Sequence, residues 1–276
     1  VADNEVSTYT KLASVGPYEV KIGSALITMV EPQIGHDEAY NRWYEDDHFY
    51  AGAMAMPWMF AGRRYVATRE LQAMRIPTKS AVANPVELGK YIATYWITEG
   101  RYEDHLRWSV GTNQRLLADN RVYLQRDHIF TAFQEFITSF YRDENGPKDF
   151  HAFDAGYGGL VVEVIDAPEE GQLEAVVDYV RTVRAPLAFE NGVAMAVVFT
   201  PIPLPEDRMS YVKQVEGLGK RVTVLWFTDG DPRESWNAAF AGAVEQSKEA
   251  GVGKAEFVAP FIPTAVGTNK YVDELR

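Results

Sequence analysis

The chain has 276 residues, no cysteine, 46% hydrophobic residues and a formal net charge of −12. That composition excludes disulfides, thiolate metal sites and a thiol nucleophile, and its acidity is the wrong sign for a nucleic-acid surface. No run approaches the roughly 20 apolar residues of a membrane span, and Val1–Thr10, with Asp3 and Glu5 and no apolar core, does not read as a signal peptide, so a soluble cytoplasmic protein is expected.

In chain order, residues 1–19 read as an arm. An apolar strand follows at Ala25–Val30, then a turn at Gly35 and a helix from His36-Asp37, with Asp37 placed to cap and Glu38 to complement the positive helix end. Arg64–Thr68 reads as the next strand, with Arg63 and Arg64 on opposite faces. Glu70–Gly89, with two prolines, reads as a loop, Tyr95–Thr98 as a strand and Tyr102–Ala118 as a helix. Ile129–Phe140 carries both a helical and an alternating spacing; the repeat described next favours a strand. Arg142–Gly158 concentrates Gly, Asp and Asn and reads as a linker. The second half then gives Leu160–Ile165, Gln172–Ala185, Val193–Pro201, Arg221–Phe227, Pro232–Ala250 and Ala255–Phe261, with a proline-rich loop at Pro201–Gly219.

The two halves repeat. Tyr95-Trp96-Ile97-Thr98-Glu99-Gly100 matches Leu225-Trp226-Phe227-Thr228-Asp229-Gly230 at an offset of 130. Ala25–Val30 matches Gly159–Val164 at 134, and Arg64–Thr68 matches Ala196–Thr200 at 132. Each half therefore reads β-α-β-β-α-β, the ferredoxin-like unit. The expected fold class is α+β, with two fused ferredoxin-like units, residues 20–145 and 146–276. Such a unit carries helices on one sheet face only, so stacking two into a closed barrel covers the other face and removes exposed edges.

The first helix holds the candidate chemistry. At helical spacing Tyr40, Trp43, Tyr44, Asp47 and His48 share one face. Aromatic rings mixed with a carboxylate and an imidazole make an unusual core face, because buried polar atoms need partners. His48 suits a general acid/base, Asp47 an orienting carboxylate, Tyr44 a donor to a substrate oxygen, and Arg64 a clamp for an acidic group. Trp43, Tyr40, Trp58, Tyr65, Tyr95, Trp96 and His128 are the candidate substrate-binding residues. Each has a plainer alternative: a helix-end histidine, a surface ion pair, an aromatic core. All five histidines (His36, His48, His105, His128 and His151) lie in the first 151 residues, while the matching helix of the second half reads Leu173, Val176, Val177, Val180, Val183. The second unit is thus expected to be mainly scaffold. Glu45-x-x-His48 is half of a di-iron pattern without its second copy, and no metal site is expected.

Asn41-Arg42-Trp43-Tyr44-Glu45-Asp46-Asp47-His48, then Met56-Pro57 and Arg63-Arg64-Tyr65, resembles the signature of the EthD-like group in the dimeric α+β barrel superfamily. Pro260-Phe261-Ile262-Pro263-Thr264 and Gly267–Leu275 resemble that group's closing strand and tail. The resemblance implies an intramolecular barrel with a small aromatic or polyketide-like substrate between helices and sheet. His48 matches the helix-end histidine that acts on a proton, and Asp47 the acidic residue before it. The superfamily includes muconolactone isomerases, polyketide cyclases, cofactor-free monooxygenases and haem-binding enzymes. The second half lacks both signature and histidine, which speaks against two equivalent sites and against a haem ligated from that unit.

The expectation is a cofactor-independent lyase or isomerase acting on a small aromatic or hydroxylated catabolic compound. The alternatives are a monooxygenase, cofactor-free or haem-dependent, and a non-catalytic binding barrel. A small molecule is the expected partner, with no nucleic acid or membrane, and assembly into a homodimer is allowed.

Overall fold

In the computed structural model, which describes residues 19–208, 210 and 212–276, the β-branched and aromatic runs become eight strands. The first unit comprises β1 (Ile22–Pro32), α1 (Asp37–Trp43), β2 (Met59–Val66), α2 (Arg69–Ala73), β3 (Tyr91–Thr98), α3 (Tyr102–Ala118) and β4 (Arg126–Tyr141). The second comprises β5 (Gly159–Asp166), α4 (Leu173–Tyr179), α5 (Ala185–Glu190), β6 (Val193–Pro201), β7 (Arg221–Thr228), α6 (Pro232–Ala239), α7 (Ala243–Glu249) and β8 (Lys254–Pro263). The expected arm lies, apart from Glu19, outside the described residues, as does the Val1–Thr10 stretch.

The strands close into one barrel in the order β1-β3-β2-β8-β5-β7-β6-β4, so each unit keeps the 4-1-3-2 order of a ferredoxin-like sheet. The two seams differ. Along β4 and β6 the pairing runs from Gln134 opposite Pro201 to Tyr141 opposite Met195. Along β2 and β8 only Tyr65–Pro263 and Val66–Ile262 pair, and the gap is covered by a bridge from Ile76 to Val258. Arg75 braces that covering loop by donating to the carbonyls of Leu88 and Gly89, each at 2.8 Å. The ambiguous segment Ile129–Phe140 is extended throughout, because both edges of β4 find strand partners.

Alternation sorts the side chains into layers. Ala25, Ile27 and Met29 turn into the barrel with Trp96, Phe199 and Phe227, while Leu26, Thr28 and Val30 face the helices. The linker plugs one barrel end: Phe153 stacks on Trp96 at 4.3 Å between ring centroids, and Arg63 donates to its carbonyl. Arg64, the next residue, faces the opposite way under α1, as the sequence suggested.

Two features depart from the sequence pattern. The helix expected over Pro232–Ala250 breaks between Ala239 and Ala243. The matched tryptophans point to opposite faces. Tyr95 lies opposite Leu26 in β1 and Trp226 opposite Val161 in β5, so Tyr95, not Trp96, is the structural counterpart of Trp226. A one-residue slip inverts a strand's faces, and Trp96 accordingly sits in the barrel while Trp226 sits under the second unit's helices.

By the same register Glu163 takes the place of Thr28, Val224 that of Ala93 and Val258 that of Thr131. Glu163 and Arg184 are both fully buried, and Arg184 Nη2 donates to Glu163 Oε2 at 3.1 Å. Arg184 also donates to the Ala239 carbonyl at 2.8 Å and to Gln246 at 2.9 Å, and Trp226 Nε1 donates to Glu163 at 2.9 Å. The ion pair fills the space between sheet and helices in the second unit. Removing one partner strands a buried charge, so Arg184→Met is expected to lower stability by about 3–5 kcal/mol, whereas Glu163→Leu/Arg184→Met recovers most of the loss. Equilibrium denaturation checks this; equal losses in the single and double variants would contradict it.

Candidate active site

In the first unit the corresponding space is open. A cavity of about 130 Å³ lies between the outer face of β1, β3 and β4 and the helices α1 and α3. An engineered apolar cavity of about 150 Å³ takes benzene, so this one is the size of a single ring. Leu204, Pro205, Arg208 and Val212 from the loop after β6 complete its lining, so the second unit contributes to the first unit's site.

The site helix does not keep the α-helical count. From Tyr44 to Met54 the backbone is π-helical, with i→i+5 bonding that adds about one residue per turn. Tyr40, Tyr44, His48 and Gly52, in steps of four, therefore all line the cavity. Asp47 is carried off this face: its carboxylate accepts from Arg121, and no hydrogen bond joins it to His48. The orienting contact expected from Asp47 is absent for that reason.

Packing holds the imidazole instead. His48 stacks on Trp43 at 4.4 Å with 20° between planes, and Trp43 is fixed by donating to the Arg121 carbonyl at 2.8 Å. Nδ1 of His48 is buried without a hydrogen-bond partner and rests on Gly52, where a Cβ would collide with it. Burial, with Arg126 next in importance, drives the His48 pKa down to about 3, so the ring is neutral at pH 7.

His128 lies on the facing wall, and its hydrogen bonds fix its tautomer. Arg126 Nε donates to His128 Nε2 at 3.3 Å, so the ring proton is on Nδ1, 2.7 Å from Thr131 Oγ1. Thr131 Oγ1 is in turn 2.8 Å from Thr28 Oγ1. Burial and then Arg126 lower the His128 pKa to about 3 as well. Tyr44 and Tyr95 join hydroxyl to hydroxyl at the cavity wall, and burial raises both pKa values, so both keep their protons. One O–H serves the pair and the other is available to a ligand oxygen.

Other expected residues lie elsewhere. Arg64 is buried against Asn41 and Glu45 and does not line the cavity. Tyr65 and Trp96 belong to the barrel interior, and Trp58 packs beside Arg101. His36 bonds Tyr123, His105 bonds the Pro57 carbonyl, and His151 sits in the linker. Arg126, Thr28, Thr131, Gly52 and Arg208 were not singled out from the sequence. Only Arg126 left a signal there, two residues before His128 and so on the same strand face.

Among the described residues no group of three or more His, Asp or Glu could hold a metal ion. Nor does the cavity suit a haem: a porphyrin spans four pyrroles against room for one ring, and Glu163 and Arg184 fill the matching space in the second unit. No described helix is long and apolar enough to cross a membrane.

Neutral, desolvated imidazoles give two expectations. In histidine NMR titrations His48 and His128 should show no protonation step between pH 8 and 5. Because their folded pKa values lie below the unfolded 6.5, their contribution to stability is complete above about pH 6.5 and is lost as pH falls toward 3; a step near 6.5 in the folded protein would contradict this. Gly52→Ala should displace the His48 ring from Trp43, seen as changed His48 ring shifts in a folded protein; an unmoved ring would contradict the packing.

No protein-family model matches the chain, and no curated protein matches it in sequence. Solved structures do match in fold. A protein assigned as a chlorite dismutase superposes with a TM-score of 0.51 at 11% identity, covering 93% of this chain and 100% of its own. A protein of Fusobacterium nucleatum subsp. nucleatum ATCC 25586 assigned as a monooxygenase gives 0.50 at 10%, covering 89% and 94%. An anthrone oxidase-like protein gives 0.49 at 14%, covering 90% and 95%. Such identities speak to architecture and not to reaction. The chain has the dimeric α+β barrel fold, with both units supplied by one polypeptide.

Proposed function

We propose that the chain is an enzyme that moves a proton on a small hydroxylated aromatic or cyclic compound, in a lyase or isomerase reaction that needs no bound cofactor. The observation that carries this is a ring-sized cavity lined by a neutral histidine that is stacked on Trp43 and has its Nδ1 buried against Gly52. A substrate ring between β1, β4 and α1 meets Nε2 of His48 as the acid/base. Oxygen charge that develops as the proton moves is met by the spare O–H of the Tyr44–Tyr95 pair and by the positive field of Arg126. Donors fixed in advance in a site of low polarity stabilise such charge without reorganising.

Arg64 and Asp47 act one step removed. Arg64 seats the helix and Asp47 fastens its outer side to Arg121, so both are positioning residues.

The test is exchange of solvent deuterium into hydroxylated aromatic and cyclic enol compounds, followed by NMR, with dioxygen uptake recorded in parallel. Exchange without oxygen consumption is expected, and His48→Ala should lower it by ~10²–10⁴-fold in a folded protein. Exchange that survives His48→Ala would overturn the assignment. Oxygen uptake coupled to turnover would make the chain an oxygenase, and tight binding without exchange a carrier.

A further inference from the structure

In a chain of net charge −12, no described residue lining the cavity is acidic, and two guanidinium groups line it. Some arginines are matched by carboxylates, as Arg64 is by Glu45, Arg121 by Asp47 and Arg184 by Glu163, whereas Arg75, under the loop before β3, is held by carbonyls alone. Arg208 is also held by carbonyls, and unlike Arg75 it lines the cavity. Its Nε donates to the Val212 carbonyl at 2.9 Å and its Nη1 to the Pro205 carbonyl at 3.2 Å. Carbonyls orient a guanidinium without neutralising its charge. The loop that carries it is tied shut by one side chain: Gln214 accepts from the Leu204 N–H at 2.9 Å and donates to the Leu204 carbonyl at 3.0 Å. Arg208 is thus an oriented cation, with no carboxylate partner among the described residues, in the lining of a ring-sized space. Arg126, over the Trp43 ring at 4.5 Å, also belongs to the lining.

We propose that the substrate is a ring carboxylate, its acid group held by Arg208 and its ring directed to His48, both of which line the cavity. Arg208 is then the specificity-determining residue, supplied by the second unit to the first unit's site. A guanidinium and a carboxylate match as planar, charge-assisted partners, and the charge selects acids over neutral rings of the same shape. The proposal rests on the cavity being the substrate site.

Benzoate and benzamide, nearly equal in shape, are the probes, with dissociation constants from calorimetry at low and high salt. In the intact protein benzoate is expected to bind at least about 10-fold tighter than benzamide, with a preference that shrinks as salt rises. Arg208→Gln should remove the preference, bringing benzoate binding to the level of benzamide, and Arg208→Lys should keep part of it. Equal binding of the two probes overturns the acid assignment while leaving the cavity as a ring site. A preference that survives Arg208→Gln overturns the role of Arg208. Binding of neither probe overturns both this proposal and the assignment of the cavity. Retained benzoate binding by His48→Ala, with exchange lost, separates anchoring from proton transfer.

Discussion

The buried contact between Arg64 and Glu45 decides where the site helix lies. Arg64 rises from β2 and donates to Asn41 at 2.6 Å and to Glu45 at 2.9 Å, while three tyrosine rings enclose its guanidinium, that of Tyr91 at 3.9 Å. The other Glu45 oxygen accepts from the Gly267 N–H at 3.1 Å, and Asn41 donates to the Thr268 carbonyl at 2.8 Å. One charge pair thus joins sheet, helix and C-terminal tail. A buried pair of this kind adds little net stability, yet loss of either partner is severe. Its effect is to fix the height and rotation of α1, and from there the π-helical turns set Tyr44 and His48 over the cavity.

The same architecture has been used twice with opposite outcomes. Between sheet and helices, the first unit keeps Thr28, Tyr95 and Thr131 at positions where the second has Glu163, Trp226 and Val258. Both site helices pass into a π-helical segment, Tyr44–Met54 in one and Val180–Arg184 in the other. In the first unit that segment adds an imidazole to the lining of the cavity, and in the second it drives an arginine into a buried carboxylate. The second unit is therefore closed at its own site and contributes at the other, through the loop bearing Arg208 and the tail that clamps α1. This asymmetry follows from fusion in one chain, where the two copies are free to diverge.

Much of this was legible from local pattern. The strand runs, α3 over Tyr102–Ala118 and the barrel itself follow from alternation, helical spacing and the internal repeat. The division of Arg63 and Arg64 between two faces follows from strand period alone. What was not legible depends on conformations or contacts that spacing does not encode. The wider π-helical turn removed Asp47 from the face it shares with His48 at ordinary helical spacing. The offset of the Trp96 and Trp226 match concealed a one-residue slip that reverses the strand face. Arg208 reaches the cavity only through tertiary packing, across more than half the chain from His48, and nothing local to it signals that destination.

The central claim is that one ring-sized site exists per chain, between the helices and sheet of the first unit, with His48 facing its occupant. A crystal structure of the protein with a hydroxybenzoate tests this most directly. The account predicts one ring per chain in that cavity, with Nε2 of His48 within hydrogen-bond reach of a ring oxygen. A ring bound in the barrel interior or against Glu163 and Arg184, or one in the cavity with His48 turned away, would contradict it.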